Sequence, residues 1–353
     1  MNNYSMINRR NIGLGEPVYI VAEMSANHGQ NFDQAVKIVE AAKEAGADAV
    51  KLQTFSPDTH TIECNKEYFR IGGGTLWDGE TLYDLYSKAC MPWEWQPRLK
   101  QIADTIGIDL FSAAVDSTSV DFLEKIDMPV YKIGSFEIVD LPLIEKIART
   151  GKPIMMSTGM CTLAEIDDAV RTARQAGATE IMLLKCTSTY PAQPSAMNLR
   201  TIPHLMESFQ TPVGLSDHTP GIAVSVASIA LGACVIEKHF TLSREIPGPD
   251  AAFSLEPHEF KAMVEAVRTV EMALGKVYYG TTQSETHSHV FRRSLFVVQN
   301  VKAGQLFTPE NVRSIRPGHG LHPRYLNEVV GRYACRDIEK GTPLSWGLIG
   351  GYN

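Results

Sequence analysis

The sequence has no CxxC pair and no hydrophobic run long enough to cross a membrane. Its six cysteines, Cys64, Cys90, Cys161, Cys186, Cys234 and Cys335, are scattered over more than 270 positions. That scatter excludes a zinc ribbon and a disulfide framework and points to a reducing, cytoplasmic setting. The longest charge-free apolar stretch runs from Gly221 to Ile236. It is shorter than the ~20 residues of a membrane span and reads as a buried helix followed by a buried strand. The opening MNNYSMINRRN has no apolar core, so no secretory signal is expected. No GxGxxG follows the first apolar run, which argues against a dinucleotide-binding sheet. Positive charge is not in excess. Lys and Arg total 33 against 40 Asp and Glu, net −7, which excludes a broad nucleic-acid surface but not a local basic pocket. The remaining composition, 44% hydrophobic and 21% charged over 353 residues, is that of an ordinary globular chain with a sizeable core and about two domains.

What is present is a rhythm. Short apolar runs recur at 18–25, 49–53, 108–114, 130–135, 154–158, 181–186, 213–217 and 235–240. They do not alternate strictly, as expected of parallel strands buried on both faces. Helical patterns separate them. Residues 31–47 place apolar side chains at helical spacing and end near Gly46; residues 162–178 open with Thr162 and Glu165 as a capping box and end in Gly177. Eight strands alternating with helices predict a (β/α)8 TIM barrel over residues 1–280, with an open doubly wound sheet as the alternative. The connection 55–97 is too long for an ordinary loop. Its glycine-rich, aromatic stretch 72–96 is expected to shape access to a barrel mouth.

After residue 280 the pattern changes. Residues 281–289, TTQSETHSH, read as a linker, and 290–353 as a small separate β-rich domain. Within it NVKAGQLFT (300–308) and DIEKGTPLS (337–345) echo one another, each reading as strand, glycine turn, strand.

In a barrel, chemistry sits at the C-terminal ends of the strands. Those ends carry Glu23, Asn27 and His28; Lys51 and Gln53; Lys132, Ser135 and Glu137; Ser157 and Thr158; Lys185, Thr187 and Tyr190; Ser216, Asp217 and His218; and Glu237, Lys238 and His239. Any one of them alone reads as an ion-paired or surface residue. Together they read as a pocket, because a lysine or carboxylate inside an apolar run is costly unless paired or used. Lysines with hydroxyls suit a phosphate or carboxylate, and the glutamates are acid–base candidates. His218 and His239, on neighbouring strands, could share a divalent metal; one of them could equally be a hydrogen-bonded core histidine. Cys186 and Cys234 read as small core residues.

Nine motifs together resemble the sialic acid synthase family: AEMSANH (22–28), AVKLQT (49–54), YKIGSFE (131–137), STGM (157–160), KCTSTYP (185–191), GLSDHT (214–219), EKHFT (237–241), GPDAAFSLEP (248–257) and, in the tail, SIRPGHGLHP (314–323). The tail is similar to that family's antifreeze-like (SAF) domain. Within the family, the segments around residues 73–96 resemble the branch that makes pseudaminic acid. The resemblance implies condensation of phosphoenolpyruvate with an amino-aldose, dependent on Mn²⁺ or Mg²⁺. For that branch the aldose is 2,4-diacetamido-2,4,6-trideoxy-L-altrose, and phosphate leaves by C–O cleavage. It implies His218 and His239 as metal ligands, and Lys51, Lys132, Ser135, Ser157 and Ser216 around phosphoenolpyruvate. Gln53, Tyr190, Glu237 and Asp250 fall to substrate binding. Glu23 is the candidate base or water-positioning group, with Glu137 as its rival. It also implies a domain-swapped homodimer in which Arg316 reaches the sugar bound by the partner chain. No nucleic-acid or membrane partner is expected.

The sequence departs from the family at three places. Ser112-Ala113-Ala114 stands where the family has a second hydroxyl followed by Pro. Thr187 replaces the Asn, and Ala251 the His, of N-acetylneuraminate synthases. A smaller, less polar pocket suits a 6-deoxy sugar. The alternatives are an N-acetylneuraminate or legionaminate synthase, a non-catalytic ice- or carbohydrate-binding protein, and a Schiff-base aldolase relying on one lysine of depressed pKa.

Overall fold

The computed structural model describes residues 4–351. They fall into two compact units that divide between Gly275 and Lys276. The first is a closed barrel of parallel strands: β3 (Tyr19–Glu23), β4 (Ala49–Thr54), β5 (Asp109–Ala114), β6 (Tyr131–Ile133), β7 (Ile154–Ser157), β8 (Ile181–Cys186), β9 (Val213–Asp217) and β10 (Val235–His239), with β10 pairing back onto β3. The open-sheet alternative is thereby excluded.

Strand register decides which side chains face the interior. Val21 pairs with Ala49 and Glu23 with Lys51; Glu237 pairs with Ser216 and with Val21. Odd positions of β3, β4, β5 and β10 therefore point inward, and even ones toward the helices. The lower interior is apolar, packed from Tyr19, Val21, Ala49, Phe111, Met155, Met182, Leu184 and Val235. The upper interior is polar. Outward residues such as Ile20, Val50, Leu110, Ile154, Leu183 and Ile236 pack beneath the helices in one continuous core.

The helices begin where the sequence predicts. Asn31 accepts the Gln34 N–H ahead of Phe32–Glu44, and Thr162 with Glu165 closes a capping box on Leu163–Gln175. The stretch Gly221–Ile236 supplies the helix Ala223–Ile229 and then enters β10, as read.

One element had not been expected. Residues β1 (Tyr4–Ile7) and β2 (Arg10–Gly13) form an antiparallel hairpin whose Ile7 and Ile12 seal the apolar end of the barrel. Asn8 and Arg9 at its turn both take positive φ, +46° and +67°.

The long connection folds into short pieces: helix Pro57–His60, a 3₁₀ turn Glu67–Phe69, a bridge from Arg70 to Thr81 and helix Leu82–Ala89.

In the second unit, β11 (Ser294–Val297) and β12 (Val312–Ile315) pair antiparallel over a core that includes Leu295, Phe307, Val312, Val329 and Leu344. The two echoing segments do not each form strand, turn and strand. They meet one another through the single bridge Val301–Ile338, and each keeps its glycine turn, Gly304 and Gly341 both at positive φ. Their remaining backbone bonds go to several separate partners, Gly304 to Ala334 and Leu344 to Leu295 among them, so no long ladder forms. Residues 281–289, read as linker, lie in an exposed stretch, but Gln283–Phe291 is a 3₁₀ helix capped by Thr282 and Glu285.

Candidate active site

The polar upper layer of the barrel is centred on Lys51. Its Nζ lies 2.9 Å from Glu23 Oε2 and 3.6 Å from Glu237 Oε1, and all three side chains are buried. Gln53 donates to Glu23 Oε1 at 2.8 Å and to Ser25 Oγ at 3.0 Å. Ser25 in turn donates to Asp250 Oδ2 at 2.5 Å. On the far side Ser216 donates to Glu237 Oε1 at 2.8 Å, and Lys132 Nζ donates to Ser157 Oγ at 2.7 Å. The Gly159 N–H donates to Ser135 Oγ at 3.0 Å. Parallel strands in register hold these groups, so their separations are set by the backbone ladder.

The charges do not balance to an inert core. Burial, reinforced by Glu237, pushes Glu23 up to about 7 against the pull of Lys51. Burial also works on Lys51, but Glu23 and Glu237 together hold it up at about 12. Burial opposes the Glu237 charge too, yet Lys132 and Lys51 keep its carboxyl below the usual range. Burial lowers Lys132, and the charge of Glu237 offsets this only in part. Two lysines thus sit in a buried pocket with one carboxylate held below the usual range and one raised to about 7. A bound dianion would be attracted to the first pair and would leave Glu23 a proton acceptor.

Above Glu237 on the same strand stands His239, and across from it His218, with ring centroids 5.2 Å apart. His218 Nδ1 lies 3.1 Å from the Thr187 carbonyl, which leaves its Nε2 for another partner. His239 Nδ1 is buried without a hydrogen-bond partner, and burial next to His218 keeps that imidazole neutral. Burial works against charge on His218, but Cys186 and the Thr187 carbonyl raise it, so a cation would bind there by displacing a proton. With His218 Nε2 and His239 Nδ1 unclaimed, the pair fits one divalent cation whose other positions go to substrate and water. Among the described residues no three His, Cys, Asp or Glu side chains form a complete cage; a catalytic cation keeps open positions. Burial pulls Cys186 upward, but the His218 ring, 3.8 Å from its Sγ, carries the thiol down to about 7. Cys186 is buried as its pattern suggests, yet it belongs to the site and not to the passive core.

Aromatic rings wall the mouth. Tyr190 lies 4.4 Å from His218 and 5.5 Å from Phe253, and Phe253 lies 4.9 Å from His239, all between centroids. Burial raises the Tyr190 hydroxyl, which therefore stays protonated. Glu137 sits on the loop after β6, half-buried, over Gly134 and beside Thr59, His60, Tyr86 and Asp140. Burial raises it as well. The structure thus gathers Glu23, Lys51, Gln53, Lys132, Ser157, Ser216 and Glu237 in one hydrogen-bonded and ion-paired layer. Ser135, Tyr190, Asp250, His218 and His239 stand at its rim. Arg316 belongs to the second unit, where it is exposed just after β12. Lys238, on a strand end in the sequence, points outward and is spent on Asp217 at 2.8 Å. Ala113 does face inward, between Gln53 and Lys132. The adjacent Ser112 hydroxyl turns away, 2.6 Å from Thr54 Oγ1, and does not replace the missing donor. Sequence reasoning missed Ser25, Cys186 and Phe253. Only an alternation reading of KCTS and of GPDAAF could have flagged Cys186 and Phe253.

Residues 38–279 match the NeuB family and residues 292–349 the SAF domain. The chain is 43% identical to a pseudaminic acid synthase of Campylobacter jejuni over 96% of its own length and 98% of that protein. It is likewise 43% identical to a pseudaminic acid synthase of Helicobacter pylori, over 94% and 97%. Among solved structures, the spore coat polysaccharide biosynthesis protein SpsE of Bacillus subtilis is 33% identical. It superposes with a TM-score of 0.67 over 99% of this chain and 100% of that one.

Proposed function

The chain belongs to the NeuB family, and from that premise we propose that it condenses phosphoenolpyruvate with 2,4-diacetamido-2,4,6-trideoxy-L-altrose and water to give pseudaminic acid and phosphate. It is an enzyme, a synthase of the transferase class. The observation that carries the proposal is the Glu23–Lys51–Glu237 bridge, with Lys132 and the serines alongside and the His218–His239 pair one layer above.

Lys51, Lys132, Ser135, Ser157 and Ser216 receive the phosphate and carboxylate of phosphoenolpyruvate and neutralise charge that would repel an approaching partner. The open-chain aldose enters from the aromatic rim, with Gln53, Tyr190, Glu237 and Asp250 available to its amide and hydroxyl groups. His218 and His239 would hold the cation, Mn²⁺ or Mg²⁺, which when bound supplies Lewis-acid polarisation of the aldehyde. Carbon 3 of phosphoenolpyruvate then forms a C–C bond to the aldehyde carbon, and the aldehyde oxygen gains a proton. Water adds at C2. Glu23, held near neutrality and paired to Lys51, takes that water's proton. The C2–O bond to phosphate breaks last, as the C2 hydroxyl becomes the ketone carbonyl and its proton leaves with the phosphate. Glu237 is the weaker base of the two, because Lys132, Lys51 and Ser216 lower its carboxyl against the effect of burial. Glu137 lies on a loop beyond the layer, which favours Glu23.

The free state of the six cysteines supports a reducing cytoplasm, and no described helix is long and apolar enough to cross a membrane. A swapped homodimer is proposed, with Arg316 of each chain serving the partner's barrel. Residues 276–353 carry ten basic and five acidic residues, net +5, against −12 for residues 1–275, a complementarity that favours tail-on-barrel association.

The test is phosphate release from phosphoenolpyruvate with Mn²⁺, run in parallel with the diacetamido altrose and with N-acetylmannosamine, each with and without EDTA. Metal-dependent release with the altrose alone is expected. Release with N-acetylmannosamine alone would move the chain to the neuraminate branch.

A further inference from the structure

Trp77 belongs to the long connection after β4 and is fixed from two sides. Its indole N–H donates to the Pro249 carbonyl at 3.2 Å, and its turn is tied by the Gly74 and Thr75 N–H groups to Asp78, both at 2.9 Å. Its ring stands 5.9 Å from Tyr190, which in turn stands 4.4 Å from His218. Trp77 also lines a groove of about 570 Å³ whose walls include Leu76, Leu85, Pro247, Pro249 and Ala252. Tyr190 thus stands between the indole and His218 in the chain of ring contacts, and the groove beside the indole is mainly apolar, with Gln30, Glu80 and Lys88 also in its lining.

A six-carbon chain has a definite reach. Five C–C bonds of about 1.5 Å in zigzag span about 6 Å. The ring steps, 4.4 Å from His218 to Tyr190 and 5.9 Å from Tyr190 to Trp77, are of that order, so an open-chain aldose with its aldehyde at the histidine pair extends its distal carbon toward Trp77. We propose that Trp77 is a specificity-determining residue: its ring meets C6 of the aldose and favours a methyl over a hydroxymethyl group there. The inference rests on the reading above. Its cause is that a C6 hydroxyl against the indole face would lose water to a surface offering no hydrogen bond, because the one indole donor is already committed to Pro249 O.

The experiment compares wild type, Trp77→Phe and Trp77→Ala on the diacetamido altrose and on its 6-hydroxy counterpart, measuring kcat and both KM values. Trp77→Ala is expected to raise KM for the 6-deoxy sugar at least about tenfold. Its kcat and its KM for phosphoenolpyruvate should stay within about threefold of wild type, and discrimination between the two sugars should shrink. Trp77→Phe, which keeps a ring but loses the Pro249 bond, should retain most of the discrimination. Unchanged discrimination in Trp77→Ala overturns the inference, whether kcat falls equally on both sugars or nothing changes. If wild type ignores both altroses and uses N-acetylmannosamine, the proposed substrate has failed. Trp77 is then judged by the same ratio on N-acetylmannosamine and its 6-deoxy analogue.

Discussion

Two titratable residues five positions apart show how position sets chemistry. Glu23 ends β3 and faces Lys51 in the barrel; His28 lies just beyond, buried beside Trp95 with its Nε2 unpartnered. Glu23 is raised to about 7 and His28 lowered to about 4, both chiefly by burial, because burial penalises whichever form is charged. Glu23→Gln keeps the shape and the Lys51 contact but cannot take a proton. Turnover should fall at least about a hundredfold with KM for phosphoenolpyruvate nearly unchanged; a loss confined to KM would assign Glu23 to binding instead. For His28 the sign runs the other way. The unfolded chain binds the proton from pH 6.5 downward, the folded chain only near pH 4. Stability present above pH 6.5 is therefore lost as pH falls to 4, by on the order of 3 kcal/mol. His28→Asn, whose side-chain oxygen can still accept the Gln30 N–H now received by Nδ1, should melt with a flatter pH dependence across that window. Parallel curves for wild type and variant would show that His28 does not carry the acid sensitivity.

Strands buried on both faces leave a signature that needs no partner information, so the barrel strands were legible in the sequence to within about two residues. The inward set followed wherever the run ended in a charge: Glu237 and His239 point in, and Lys238 between them points out to Asp217. What was not legible depended on contacts far along the chain. The N-terminal hairpin turns through Asn8 and Arg9 at positive φ without the glycine that usually marks such a turn. The echoing tail segments find single bridges in place of ladders. Trp77 and Cys186 matter because of Tyr190 and His218, neither of which is near them in pattern. Gly214 in β9 is the converse, a small residue whose importance appears only in three dimensions. A Cβ there would stand 2.5 Å from the Val235 carbonyl and 2.7 Å from Leu184 Cδ2. The Leu184 methyl can rotate away, but the Val235 backbone cannot retreat without disturbing the β9–β10 pairing. Gly214→Ala should cost about 3 kcal/mol or more and lower Tm accordingly. Gly72→Ala, where a Cβ meets nothing within 4 Å, should be silent. Equal melting of the two variants would mean that the barrel yields locally at β9.

At the scale of the molecule, a basic tail follows an acidic barrel, and the proposed homodimer assigns each tail to the partner's barrel. The swapped arrangement makes a prediction that no self-contained chain can satisfy. His218→Ala removes an imidazole from the barrel and leaves the tail intact; Arg316→Ala does the reverse, at an exposed position where truncation leaves no cavity. Each variant alone should be nearly inactive. When the two are unfolded together and refolded, a mixed dimer places the intact tail of the first chain on the intact barrel of the second. With random pairing half the dimers are mixed and each has one working site of two, so about a quarter of wild-type activity should return. If each tail serves its own barrel, every site in the mixture lacks one group or the other, and activity stays at the level of the separate variants. Recovery that vanishes on dilution and returns on concentration would tie the activity to the dimer itself. Differently tagged chains, co-purified before assay, establish that mixed dimers are present, so a null result counts directly against the swap.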